Sequence, residues 1–322
     1  MPLDDHGLEL VRTRGTSAES LYENLTNGKL HPVFDIYCVP ENKIDQSARI
    51  ISGISPNKEP DRATQRILKD CEDIRSNLLK IEELYRSLLK QERSIIAQSA
   101  ELANSYLPDE ATIGNPLVVL LPTGRDGRVL DGVVYLDPRL LVELSLDELV
   151  RLIGHEFHHV GRGQIRPFSA RAKPDFEAYV VSCMESLELE GIADLVSEIT
   201  EFKAFNSFRE KRRDIFEDYA RYLEQFQEAV VKGYCDPAER SLSIKEISSA
   251  FYKEGQMHPV GHRMATEIQR EMGKDELVAC VGNPFEFLRC YQITAKRRGL
   301  FVFGERYISI MNSLEEKERS SE

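Results

Sequence analysis

The stretch that decides the reading runs Ser145-Leu146-Asp147-Glu148-Leu149-Val150-Arg151-Leu152-Ile153-Gly154-His155-Glu156-Phe157-His158-His159-Val160. Ser145 followed three residues later by Glu148 is a capping box, in which each side chain satisfies the other residue's backbone N–H, and it opens a helix. The apolar residues that follow carry the helix through Val160, and Gly161-Arg162-Gly163 is expected to stop it. Inside it lies H-E-x-x-H. His155 and His159 are one turn apart, so both imidazoles leave the same face and can reach one ion. Neutral imidazole nitrogen suits zinc, and Glu156, next to His155, can approach a water on that ion as general base and proton shuttle. His158 lies on a neighbouring face; the spacing that lets Glu156 act as base favours His159 as the ligand. The five-residue pattern arises by chance in about one chain in a hundred, so its surroundings must carry the argument.

A catalytic zinc needs a third protein ligand and an open position. Glu190-Gly191-Ile192-Ala193-Asp194 places two carboxylates one turn apart on a later helix. Glu190 can bind the metal, and Asp194 can accept the free N–H of a ligand histidine and so fix its tautomer. Gly191 and Ala193 are small, which is expected to let this helix approach the motif helix closely. The order H-E-x-x-H then E-x-x-x-D resembles the gluzincin metallopeptidases. The resemblance implies His155, His159 and Glu190 as ligands of Zn2+, Glu156 as the catalytic glutamate and Asp194 behind a ligand histidine. It also implies a peptide or protein substrate lying along the strand before the motif helix. It is strongest over about residues 112–200. More loosely, Gly261-His262-Arg263-Met264-Ala265 and Asn283-Pro284-Phe285 to Tyr291 look like the C-terminal part of uncharacterised zinc-dependent peptidases. Residues 1–110 match no family in this reading.

Outward from the motif, Leu117 to Leu121 is a short aliphatic run, Thr123-Gly124-Arg125-Asp126-Gly127 carries turn chemistry, and Val133-Val134-Tyr135-Leu136 is a second run ending at Asp137-Pro138. Two strands and a turn predict a small antiparallel sheet. Upstream, Ile67, Cys71, Ile74, Leu78, Ile81, Tyr85 and Leu88 alternate at spacings of four and three, one apolar face of a long helix over 62–105. Such a stripe packs into its own core more often than into a dimer seam. Downstream, Pro174 is expected to start the helix bearing Glu190. A further helix spans about 205–232 and ends at Gly233. Pro259 to Met272 is stopped by Gly273, and Asn283-Pro284 begins another helix. The fold class is mostly α with a small antiparallel β-sheet, an α+β zincin-like catalytic domain. The expected division is 1–110, a mainly helical N-terminal region; 111–312, the catalytic domain; and 313–322, a charged, frayed tail.

A zinc hydrolase also benefits from a donor to the oxyanion. His258 and His262 flank the start of a late helix and are the candidates, with Tyr252 and Tyr291 behind them. The net charge of -12 and the lack of a basic stripe exclude ordinary nucleic-acid binding; Lys211-Arg212-Arg213 reads as a solvated helix face. Six scattered cysteines form no C-x-x-C pair and read as small buried hydrophobes of a reducing compartment. No leader pattern and no membrane-length apolar run is present, so a cytoplasmic protein without a membrane partner is expected. The oligomeric state stays open. Two other classes compete. A di-iron or di-manganese carboxylate protein shares Glu156-x-x-His159 but needs a second E-x-x-H, which is missing. A catalytically silent zinc-binding module would have no need of Glu156 as a base.

Overall fold

The computed structural model describes residues 3–4, 18–28, 30–55, 57–165, 175–198, 202, 206–253 and 255–320. The chain forms two compact units, each assembled from two separated pieces: Met1–Ser99 with Gly114–Val160, and Ala100–Ile113 with Gly161–Glu322.

The first unit holds β1 (Leu3–Asp4), α1 (Ala18–Asn27), α2 (Pro32–Ile36), α3 (Ile44–Ile51), α4 (Arg62–Ser76), most of α5 (Leu78–Asn104), β2 (Val118–Leu120), β3 (Gly127–Leu130), β4 (Val133–Leu136), α6 (Pro138–Leu141) and most of α7 (Leu146–Ile165). The apolar stripe packs inward: Ile67, Cys71, Ile74 and Ile81 share a core with Leu25, Phe34, Val119 and Leu121. The expected single helix over 62–105 is broken at Asn77. There Ser76 Oγ and Asn77 Nδ2 donate back to the carbonyls of Glu72 and Asp73 (3.0 Å each), local bonds that compete with the helix ladder.

The sheet order is β1-β2-β4-β3. β1 and β2 are parallel, β2 and β4 are parallel, and only β3 with β4 is antiparallel. The expected antiparallel pair is therefore corrected to a mixed sheet. The two runs read as strands are parallel because a strand lies between them in the chain. β3 follows the 123–127 turn and folds onto β4 through Asp131-Gly132, whose φ values of 50° and 74° are those of a type I′ hairpin. That Asp-Gly pair between apolar residues was the available signal. Asp137 closes the arrangement. Its carboxylate accepts the backbone N–H groups of Thr123 (3.0 Å), Arg125 (2.8 Å) and Arg139 (3.0 Å) and the guanidinium of Arg139 (2.6 Å), which also reaches Asp70 at 2.5 Å. Burial alone would raise the Asp137 carboxyl, but Arg139 and these N–H groups outweigh it and hold it below the usual carboxylate range.

The second unit adds α8 (Phe176–Ser197), α9 (Asn206–Glu217), α10 (Tyr219–Cys235), α11 (Arg240–Phe251), α12 (Met257–Met272), α13 (Lys274–Val278), α14 (Pro284–Arg298) and α15 (Glu305–Arg319). Pro174 lies outside the described residues; Asp175 caps α8 by accepting the Ala178 N–H at 2.8 Å. Gly273 ends α12 with φ 98°, and Asn283 caps α14, as the residues predict. Three stops fall differently. The motif helix passes Gly161 and Gly163 to Ile165, because Gly161 serves a close approach: a Cβ there would lie 2.3 Å from Leu107 Cδ1. The 205–232 helix breaks at Asp218, and Gly233 lies inside α10, where a Cβ would meet Phe176 at 2.5 Å. The C-terminal helix runs past Asn312 to Arg319 because Leu314 is buried and Glu315 pairs with Arg289 (2.6 Å). Among the described residues no helix is long and apolar enough to cross a membrane.

Candidate metal centre

The capping box forms as read. Ser145 N–H and Oγ both donate to Glu148 (2.8 and 2.7 Å), and the Glu148 N–H returns to Ser145 Oγ at 3.3 Å. It fixes the first turn of α7, and two and a half turns later the helix presents His155 and His159 on one face. Their Nε2 atoms meet at 2.9 Å, with the rings edge to face and centroids 4.5 Å apart. Two such nitrogens, each able to come within about 2.0–2.1 Å of a common point, fit a shared zinc ion. His155 and Glu156 are buried and His159 is half-buried. His158 is fully buried, its ring centroid 6.4 Å from that of His159.

Glu156 packs against the first residue of β3. A Cβ on Gly127 would lie 2.3 Å from Glu156 Oε1 and 2.9 Å from its carboxyl carbon. Only glycine leaves that space. Gly127 pairs with Leu136 across the hairpin, so Asp137 and its turn set where Gly127 lies. The strand immediately before α7 does not offer the free edge the resemblance suggested. β4 lies between β2 and β3, and among the described residues β3 is the edge on that side.

In the second unit, α8 carries Glu190 and Asp194. Asp194 is fully buried and pairs with the buried Arg212 of α9. The expectation that Lys211-Arg212-Arg213 is a solvated face is thus wrong at its middle member. A run of three cations hides which of them turns inward. His258, in the first turn of α12, faces the same carboxylates: Nδ1 lies 3.2 Å from Glu190 Oε2 and 3.7 Å from Asp194 Oδ1. Desolvation opposes the imidazolium, but Glu190 and then Asp194 outweigh it and raise His258 to about 9. His262, one turn on, is buried with its ring against Phe216 at 5.1 Å.

Gly191 makes a close approach, but its partner is α12. A Cβ on Gly191 would lie 2.4 Å from the Gly261 carbonyl oxygen, and one on Gly261 would lie 2.4 Å from the Leu187 oxygen. A second buried pair stands beside it. Arg162, near the end of α7, donates to Glu188 of α8 at 2.8 Å, and the other Glu188 oxygen accepts the Gly282 N–H at 3.0 Å. Both side chains are completely buried. Nothing in the spacing of Arg162 and Glu188 announces this pairing.

Tyr291 is buried and donates to the Phe301 carbonyl at 3.0 Å. Tyr252 donates to Cys183 Sγ at 3.5 Å. Burial pushes the thiols of Cys71 and Cys183 up to about 12, as inert core cysteines require. Cys280 and Cys290 are also buried, but Cys38 and Cys235 are exposed, so the reading of the cysteines as buried hydrophobes is corrected at those two. An open groove between α10 and α11, lined by Arg221, Tyr222, Lys232 and Glu246, includes none of the candidate residues.

The fold and these side chains define a helical protein with a small mixed sheet, a histidine pair on its motif helix and a glutamate pressed on a neighbouring strand. Residues 39–299 match the family described as "Putative zinc dependent peptidase (DUF5700)", and the chain belongs to that family. No curated protein and no solved structure matches it.

Proposed function

We propose that the protein is a zinc-dependent peptidase with a gluzincin-type site. His155, His159 and Glu190 are its three protein ligands, a set able to hold one ion, and Glu156 is its general base. The observation that carries this reading is the convergence of the two Nε2 atoms, 2.9 Å apart, one residue from a carboxylate pressed on Gly127. Zinc, when bound, supplies a Lewis acid that polarises the scissile carbonyl and makes water more acidic. Glu156 takes the proton of the attacking water and returns it to the leaving amine. Asp194, buried beside Arg212, is the carboxylate that receives a ligand histidine's N–H. β3, an edge strand among the described residues, suits a peptide, because an extended main chain can add to it as a further strand and so pass Gly127 and Glu156. The paired strands followed by the motif helix support a zincin-like arrangement of this half of the site.

Metal analysis together with cleavage of a mixed fluorogenic peptide library tests the reading. Wild type is expected to carry a single zinc per chain and to hydrolyse peptides. Glu156→Ala keeps the zinc and loses at least about 10²-fold in rate, whereas His155→Ala loses the metal. Full hydrolysis by Glu156→Ala would refute the mechanism, and two irons per chain would replace it with the di-metal alternative.

A further inference from the structure

Glu267, in the second half of α12, is fully buried, and three arginines converge on it. Arg263 Nη2 lies 2.9 Å from its Oε1, Arg270 Nη1 lies 3.5 Å from the same oxygen, and Arg298 Nε lies 3.0 Å from Oε2. Among the described residues Glu267 is the one carboxylate that any of the three meets. Glu271, a turn further on, is taken by Arg297 at 3.6 Å. Three guanidiniums against one carboxylate leave a formal excess of two positive charges. Partial offsets exist. Arg263 stands over the rings of Phe216 and Tyr219 at 5.0 and 5.4 Å, and Arg270 and Arg298 lie in the last turns of their helices, where the backbone dipole favours cations. The donors are not used up either. Neither Glu267 oxygen accepts an aligned hydrogen bond, and the buried Arg263 Nε donates none. The side chains of Arg263, Arg298 and Arg270 are 25%, 28% and 58% exposed, so the excess charge opens to solvent.

We propose that Arg263, Arg270 and Arg298 form a binding site for a small, doubly charged oxyanion, of which inorganic phosphate is the simplest. Glu267 is the buried counter-charge that gathers the three side chains from α12 and α14. Guanidinium forks suit such a ligand, because each can give two parallel N–H groups to two oxygens of one anion. A dianion matches the excess charge, whereas a lone carboxylate neutralises half of it. The site stands apart from the zinc reading, since none of its residues is a ligand or base there. An anion held by arginines of both helices ties the last turn of α14 to α12 and stabilises the folded chain.

The test is calorimetric titration with inorganic phosphate at constant ionic strength, paired with melting temperatures. Wild type is expected to bind phosphate and to melt higher in phosphate than in chloride. Sulfate should act alike, and acetate much more weakly. Arg270→Gln and Arg298→Gln each remove a charged donor and are expected to weaken phosphate at least about tenfold. Arg221→Gln removes a cation from the groove between α10 and α11 and should leave phosphate binding unchanged. Absence of binding by wild type would overturn the assignment, as would wild-type affinity in both cluster variants or acetate binding as tightly as phosphate. A loss in Arg221→Gln as large as in the cluster variants would reduce the effect to general charge and overturn it too. If Arg298→Gln does not fold, Arg270→Gln, at the most exposed of the three, decides the comparison alone.

Discussion

Gly127 sets the room available to the Glu156 carboxylate, and one added carbon would remove it. The Gly127→Ala Cβ falls 2.3 Å from Oε1, against the far end of a flexible side chain, so the carboxylate moves and the strand stays. The backbone at Gly127 needs no positive φ, so alanine adds no conformational strain there. Displacing a proton-transfer group by about 1 Å costs on the order of 10²-fold in rate. Gly127→Ala is therefore expected to lower kcat by about that factor while zinc content, measured by metal analysis, stays at the wild-type level. A variant with unaltered kcat would mean that Glu156 does its work from some other rotamer. The histidines were readable at this scale because their spacing carries the chemistry. Gly127 was not, because a glycine beside turn residues looks like part of the turn.

Among the elements, α7 and α8 are joined at their interior by Arg162 and Glu188. Breaking a buried ion pair on one side leaves an uncompensated charge and costs about 3–5 kcal/mol, whereas replacing both partners by apolar groups is often neutral. Arg162→Met alone is expected to destabilise the protein by that amount in chemical denaturation. Arg162→Met with Glu188→Met should recover most of it, less the share owed to the Gly282 N–H that Glu188 also receives. If the double variant is as unstable as the single one, the pair is not what Arg162 contributes. Helix starts were legible here because caps are local: Ser145 with Glu148, and Asn283 before Pro284, act within one turn. Helix ends were less so. Gly161 and Gly233 are glycines for the sake of Leu107 and Phe176, residues far away in the chain, and no local pattern separates that use from a stop.

Over the whole molecule, acid should act in part through Asp137, the carboxylate that binds the turn, the hairpin and Arg139 together. Its folded pKa lies below the unfolded value near 3.9, so its stabilisation is complete above that value and disappears as pH falls through the folded pKa. Asp137→Asn is expected to lower stability at neutral pH and to flatten the acid side of a melting-temperature profile below about pH 4. An unchanged acid slope would assign the acid sensitivity to other groups. The helical class and the small sheet could be read from periodicity and turn chemistry. The strand directions could not, because parallel or antiparallel pairing depends on where the intervening chain goes, and β3 was hidden inside a segment read as a turn. The division into two units was equally out of reach, since each is built from pieces that are distant in sequence. That interleaving bears on how the chain is made. Residues 100–113 leave the ribosome before the residues they pack with: Leu107 waits for Gly161, and Tyr106 for Lys274, whose ammonium lies 3.9 Å from its ring centre. At about 5–20 residues per second the nascent protein holds this segment unpartnered for many seconds, an interval in which a chaperone has something apolar to bind.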